Sequence, residues 1–364
     1  MRNRILKITA LLIGSLLLQM STALSQTIGI TAVGTIPAPR KYVPGVEDKA
    51  GYWIDYGITQ AFDFSPTSNM LGAIIKQNDG PARLFLFDLK TRATRSVAVV
   101  STSSRFHISR IAFSPDGSRI AVPMGEERKL TIWNAVSGVR EAEGATGGDV
   151  TDVDWQASGS TIAVVAGKDI EIWNTQPLAK QKVITGARAD LEWPMSVRWS
   201  PDGKYLAIGT NHPAVYIAKA GSQSASLQPL PKGSVYLLDW SGDGTRLAAA
   251  GFGSDSTIVV WKNVTTAVDS PFEKKYELSA TFVPPAGQWW SKVAWDPTGN
   301  ILAFGDSTTT FSFFDPSTGA TLKTFVPHPK SVPIEAHWHG NHLITVGAYP
   351  DKDFKVWAIS ISAN

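Results

Sequence analysis

Apolar and polar positions fall in blocks along this chain. A short apolar run ends in an aromatic residue, a polar turn follows, and a second apolar run comes straight after. "RWSPDGKYLAIG" at Arg198–Gly209 is one example, and "AFSPDGSRIAV" from Ala112, "DWSGDGTRLAAAG" from Asp239 and "AWDPTGNILAFG" from Ala294 repeat it. In the turn, Pro fixes φ at the first corner, Asp bonds nearby backbone and Gly accepts a positive φ. The pattern predicts one β-hairpin used again and again. A third run, also closing on an aromatic, follows the hairpin: "LTIW" to Trp133, "IEIW" to Trp173, "TIVVW" to Trp261, "FSFF" to Phe314 and "FKVW" to Trp357. A polar turn such as "DPSTGA" then leads to a weaker fourth run.

The aromatics before the hairpin turns are Phe64, Phe113, Trp155, Trp199, Trp240, Trp295 and Trp338, at spacings of 49, 42, 44, 41, 55 and 43 residues. A period near 43 with four short strands per unit is the signature of a β-propeller. Seven anchors predict seven blades. One blade alone could not bury its two faces, so residues 26–364 are expected to form a single domain. After Trp338 the chain supplies only "HLITVGA" and "FKVWAIS". The last blade is therefore one strand short, and "TIGITAVGTI" at Thr27–Ile36 is an unassigned β-like segment. Pairing it as the outer strand of the last blade joins the ends of the ring and removes an exposed edge. The expected fold class is all-β: a seven-bladed β-propeller of four-stranded antiparallel blades, closed by an N-terminal strand.

Composition agrees with a large core: 43% of the 364 residues are hydrophobic. The first 25 residues read differently. Arg2, Arg4 and Lys7 precede the apolar run "ITALLIGSLLLQM", and Ala23 and Ser25 are small residues ahead of Gln26. This is the build of a secretory signal peptide cut before Gln26, and it predicts a secreted or periplasmic protein. Losing those three basic residues would leave 31 basic against 31 acidic, so nucleic-acid binding loses its compositional support. No later apolar run approaches the roughly 20 residues of a spanning helix. Cysteine is absent, which removes thiol chemistry, cysteine metal sites and disulfides.

The Phe/Trp-Ser-Pro-Asp-Gly hairpins and the "IWN" and "FFD" strand ends resemble the WD-repeat propeller family over essentially the whole chain after residue 25. The resemblance implies the fold and, less specifically, a protein-interaction scaffold. The repeats are degenerate. The family's Gly-His pair is missing almost throughout. Its Asp, six residues before the third-strand Trp, is matched at Asp255 and Asp351, with Glu127 as a partial substitute, and His328 is the one plausible partner histidine. In this the chain is similar to TolB-type propellers, which share Ser-Pro-Asp-Gly-Lys.

Loops leading into first strands and loops between second and third strands share one face of a propeller, here called the top. They carry Trp53, Tyr56, Arg105, Phe106, His107, Trp193, Trp289, Trp290 and Lys292, a mixture of large aromatics and charge typical of binding hot spots. The alternative is that these rings fold back and plug the channel. The residues before the anchors are Asp63, Ala112, Asp154, Arg198, Asp239, Ala294 and His337. Their three carboxylates could serve a metal-dependent hydrolase, or could bond to neighbouring blades. His337, His339 and His342 form a further cluster, without a carboxylate at ligand spacing. Serine-hydrolase, phosphate-loop and zinc-protease motifs are absent. The expected function is a non-catalytic, monomeric protein-interaction scaffold with a protein partner and no cofactor. The alternatives are a channel enzyme of the lactonase or quinoprotein type and a small-ligand or glycan binder using the top-face tryptophans.

Overall fold

In the computed structural model the described residues are 26–36, 40–41, 54–55, 58–76, 81–91, 93–102, 110–184, 193–221, 225–229, 234–252, 257–262, 264, 277–282, 290–331, 333–347 and 353–363. The expected signal peptide over residues 1–25 lies outside them. Among them are seven four-stranded antiparallel sheets, each a blade of a propeller. The first strands, which line the axis, are Ile58–Phe64, Ala112–Phe113, Val150–Trp155, Pro194–Trp199, Ser234–Trp240, Trp290–Trp295 and Pro333–His339, for blades one to seven. No helix among the described residues is long and apolar enough to cross a membrane.

The hairpin turn works through its own polar atoms. In blade two the Ser114 hydroxyl donates to Asp116 Oδ1 and accepts from Arg119 N. Asp116 Oδ1 also accepts from Ser118 N, and Gly117 N closes the turn on Ser114 O. Gly117 sits at φ +71°, where a side chain would be strained. The same network is built from Ser200 and Asp202 in blade four, and from Ser241 and Asp243 in blade five. In blade six Asp296 takes the Ser position and accepts from Ile301 N instead. The Ser114 and Ser118 donors hold the Asp116 carboxyl down to about 2.

Seven apolar clusters lie between the seven pairs of adjacent blades. Blades one and two share Ile74, Leu84, Phe113 and Ile120, and blades four and five share Val215, Ile217, Leu238 and Leu247. The ring closes where Phe354 of blade seven meets Phe62 and Phe87 of blade one edge-on, at 5.3 and 5.4 Å between ring centroids. The anchoring aromatics Phe64, Phe113, Trp155, Trp199, Trp240 and Trp295 are all buried, as their place at the end of a first strand requires.

The N-terminal strand, Gln26–Ile36, pairs antiparallel with Phe354–Ala363 as the outer strand of blade seven. Its register skips one residue, Val33, between the partners of Val356 and Trp357. Blades two, three, five and six skip one outer-strand residue at the same place, before the third-strand aromatic. The segment thus reproduces the local bulge of a proper outer strand. Ile28 is buried with Ile359, Phe311 and Leu343, so the strand also caps the core between blades six and seven.

Removing residues 26–36 should therefore cost more than about 3 kcal/mol in urea unfolding, the scale for losing a single buried aliphatic side chain. It should also shift the protein towards aggregates in size-exclusion chromatography, because the edge of Phe354–Ala363 is bared. A truncated chain with the wild-type midpoint and elution volume would contradict this role.

Candidate functional site at the axis and the top face

The first strand of six blades carries a register shift against its neighbour, for example between Val150 and Asp152 and between Trp290 and Lys292. The bulge re-aims the residues that follow it. Two positions per blade recur beyond it, one and three residues before the anchor. Together they hold Asp63, Asp152, Asp154 and Asp239 with Arg110, Arg198, Lys292 and His337.

The carboxylates act as clasps between blades. Asp63 Oδ2 accepts from Phe113 N at 2.9 Å, Asp154 Oδ2 from Trp199 N at 2.7 Å, and Asp239 Oδ2 from Trp295 N at 2.7 Å. Each ties its blade to the anchor of the next. Asp152 Oδ2 makes a second tie between blades three and four, accepting from Val197 N at 2.9 Å and from Arg198 Nη1 at 2.6 Å. The reading of these carboxylates as bonds to neighbouring blades is what the geometry provides. Asp152 and Arg110 escaped the sequence reading, although their common signal, three residues before an anchor, was available.

Arg110 lies 3.5 Å from Asp154 Oδ1. Burial works against its charge, but Asp154, Asp63, Asp152 and Asp239 outweigh burial and hold the guanidinium above its ordinary value. Burial pushes Asp154 up to about 6, although Arg110 and Arg198 pull it down, and burial raises Asp239 as well. Lys292 belongs to this cluster. It is buried in the first strand of blade six and acts on Asp239, and so does not stand on a surface loop. Among the described residues no three His, Asp or Glu side chains approach closely enough to hold a metal ion. His337 sits 3.8 Å from Asp63 Oδ1 across the closing joint, while His339 and His342 face each other across a turn. Burial, then His342, lowers His339.

On the top face, Trp193 is 51% exposed immediately before the first strand of blade four. The Lys168 ammonium, from the turn between the second and third strands of blade three, lies 5.1 Å from its ring centroid. One blade back, Arg128 donates to Asp149 at 3.0 Å in the same relation. The two kinds of loop expected to share the top face do meet there. Arg128 holds φ +54° without being glycine, a conformation that costs energy. Trp53, Tyr56, Arg105, Phe106, His107 and Trp289 lie outside the described residues. Trp290 begins the first strand of blade six, opposite Asp306.

The degenerate repeats hold their third-strand tryptophans by substitutes. In blade seven His328 Nε2 meets Thr345 Oγ1 at 2.9 Å, and Trp357 Nε1 donates to the same hydroxyl at 3.0 Å. Trp133 donates instead to Thr131, and Trp173 to Glu171, which also accepts from Gly147 N and Lys180 Nζ. Glu127 is exposed, and Asp255 and Asp351 lie outside the described residues.

Comparison with known proteins agrees with this architecture. The WD40 family, described as WD domain, G-beta repeat, matches residues 225–262. The chain is 25% identical over 253 residues to WD repeat-containing protein slp1 of Schizosaccharomyces pombe, covering 66% of this chain and 47% of slp1. It is 24% identical over 240 residues to cell division cycle 20.1, cofactor of APC complex, of Arabidopsis thaliana, covering 63% of this chain and 50% of that protein. The chain thus spans about half the length of these relatives. The beta-propeller domain of Cps50 (Swd1) from Myceliophteria_thermophila superposes with a TM-score of 0.72 at 16% identity, over 91% of this chain and all of that domain. The protein is a seven-bladed β-propeller. More narrowly, its degenerate repeats are WD40-like, similar to those of the WD-repeat proteins just named. The expected secreted or periplasmic location is overturned, because the curated relatives matched are nuclear or cytoplasmic proteins. An apolar N-terminal run behind a basic start is a short local pattern, read without any information from the fold.

The axial cluster has a pH signature. Between its unfolded value of 3.8 and about 6, Asp154 holds a proton in the folded chain that the unfolded chain has released. Its contribution to stability is therefore full below pH 3.8 and falls as pH rises through about 6. Urea unfolding from pH 4 to 7 should show this decline, at most about 3 kcal/mol, in the wild type. Asp154→Asn should show a smaller decline, the remainder coming from Asp239, which burial also raises; an equal decline in both proteins would assign the titration elsewhere.

Proposed function

We propose that the chain is a non-catalytic scaffold for protein–protein interaction whose top face meets the partner. The likeness to WD-repeat proteins supports the interaction role. The observation that carries the choice of face is Trp193, an indole half exposed beside a cation on a rigid rim. A large aromatic left in water has no folding reason to be there, and rigid aromatics lose little entropy on binding. The repeat pattern expects Trp53, Tyr56, Phe106 and Trp289 on loops of that same face. The channel-enzyme reading draws no support from the carboxylates, since Asp63, Asp154 and Asp239 each give an oxygen to a backbone N–H of the next blade.

Trp193→Ala should weaken capture of the protein's partners by about 2 kcal/mol, the hot-spot scale. Its melting temperature should stay near wild type, because the indole contributes little to the buried core. Affinity purification with quantitative mass spectrometry, run beside a thermal melt, tests both. A folded Trp193→Ala chain that captures the same proteins in the same amounts would remove the top-face assignment.

A further inference from the structure

Two arginines occupy the same repeat position and meet different fates. Arg119 opens the second strand of blade two, Arg119–Met124, and Arg246 opens that of blade five, Arg246–Phe252. Each guanidinium lies over the anchor tryptophan of the following blade, Arg119 at 5.3 Å from Trp155 and Arg246 at 4.9 Å from Trp295. Arg246 Nη2 then donates to Gly299 O in the next blade's turn and closes the joint. The carbonyl that would serve Arg119 is Gly159 O. It already accepts from Trp155 Nε1 at 3.0 Å and Thr175 Oγ1 at 2.9 Å. In blade six the indole has gone elsewhere: Trp295 Nε1 donates to Asp239 O. Arg119 is thus left with no hydrogen bond from its guanidinium to any described residue.

At that place the joint between blades two and three opens into a cavity of 530 Å³ on the face of the Ser-Pro-Asp-Gly turns. Its walls are polar: Arg119, Asp116, Ser158, Ser160, Asn174 and Gln176 among others. A guanidinium stacked on an indole keeps its in-plane N–H groups available, the fork that grips a carboxylate through two parallel bonds. The hydroxyls and amides around it can pair with peptide N–H and C=O groups.

We propose that this pocket binds an acidic side chain of an extended segment of a protein partner, with Arg119 as its anchor. The inference rests on the interaction reading above, but concerns the opposite face. Asp116 sets the limit on charge. Its carboxylate stays ionised in the wall, held by its own turn and, more weakly, by the charge of Arg119 itself. It repels a dianionic phosphate about twice as strongly as a single carboxylate. Arg119 attracts the dianion in the same proportion, so the two opposite charges of the lining give phosphate no net gain to offset its larger desolvation cost, and the pocket is assigned to glutamate or aspartate.

The test is an NMR titration of the full-length ¹⁵N-labelled chain, following the Trp155 indole resonance. The probes are three short glycine-serine peptides that differ only at the centre: glutamate, glutamine or phosphoserine. The glutamate peptide is expected to shift the resonance saturably and to bind about tenfold tighter than the glutamine peptide, the scale of a charged hydrogen bond. Arg119→Gln should abolish that preference. Ser158→Asp, at an exposed position on the rim, should weaken the glutamate peptide without unfolding the chain and gives the answer if Arg119→Gln does not fold. Equal binding of glutamate and glutamine peptides, a preference that survives in Arg119→Gln or Ser158→Asp, or tighter binding of the phosphoserine peptide would each overturn the proposal. Trp193→Ala should leave the peptide titration unchanged, so failure here with top-face capture intact rejects this pocket alone.

Discussion

Every blade of this protein has two apolar faces, and neither is buried until a neighbour covers it. That constraint governs the rest of the structure. Seven apolar clusters fill the seven joints, and each draws side chains from both blades. A ring of this kind has no stable partial form, because every missing contact bares a sheet face. The chain ends must therefore meet within one blade. Residues 26–36 do this by hydrogen bonding along Phe354–Ala363 and by placing Ile28 in the last joint. Stability without any disulfide rests on that closure.

The axis poses the complementary problem for polar groups. First strands converge there, and their backbone donors cannot all find partners in the sheet. Three aspartates meet this need at every second joint, from blade one to two, three to four and five to six. Ala112 and Ala294 cannot make such a bond, and Arg198 turns to Asp152 instead. The axial charges are thus largely spent on holding blades in register. That leaves Trp193 and Arg119, on the two opposite faces, outside the bonding that holds the axis.

The same economy explains how degenerate repeats keep a regular fold. A third-strand indole needs an acceptor, but a specific histidine is dispensable. Thr131, Glu171 and the Thr345–His328 pair each supply one from a different part of the blade. Losing the family's usual set therefore erodes sequence likeness faster than it erodes structure, in keeping with 16% identity beside a TM-score of 0.72.

The sequence by itself determined the blade count, the hairpin turns and the role of the N-terminal strand. All three follow from local patterns: a repeated aromatic, a turn with fixed φ needs, and one strand too few at the C-terminal end. It also indicated the alternation of aspartates before the anchors, though with their purpose open between chemistry and bonding. Only the tertiary structure decided that purpose, since the bonded N–H lies 45 to 56 residues away. It also moved Lys292 from the surface into the axial cluster, because a one-residue bulge sets which way a strand residue faces. Arg119 and Arg246 look alike in "DGSR" and "DGTR". What separates them is whether a neighbouring indole has already taken the carbonyl each would use, and that depends on packing between blades, which no local pattern encodes.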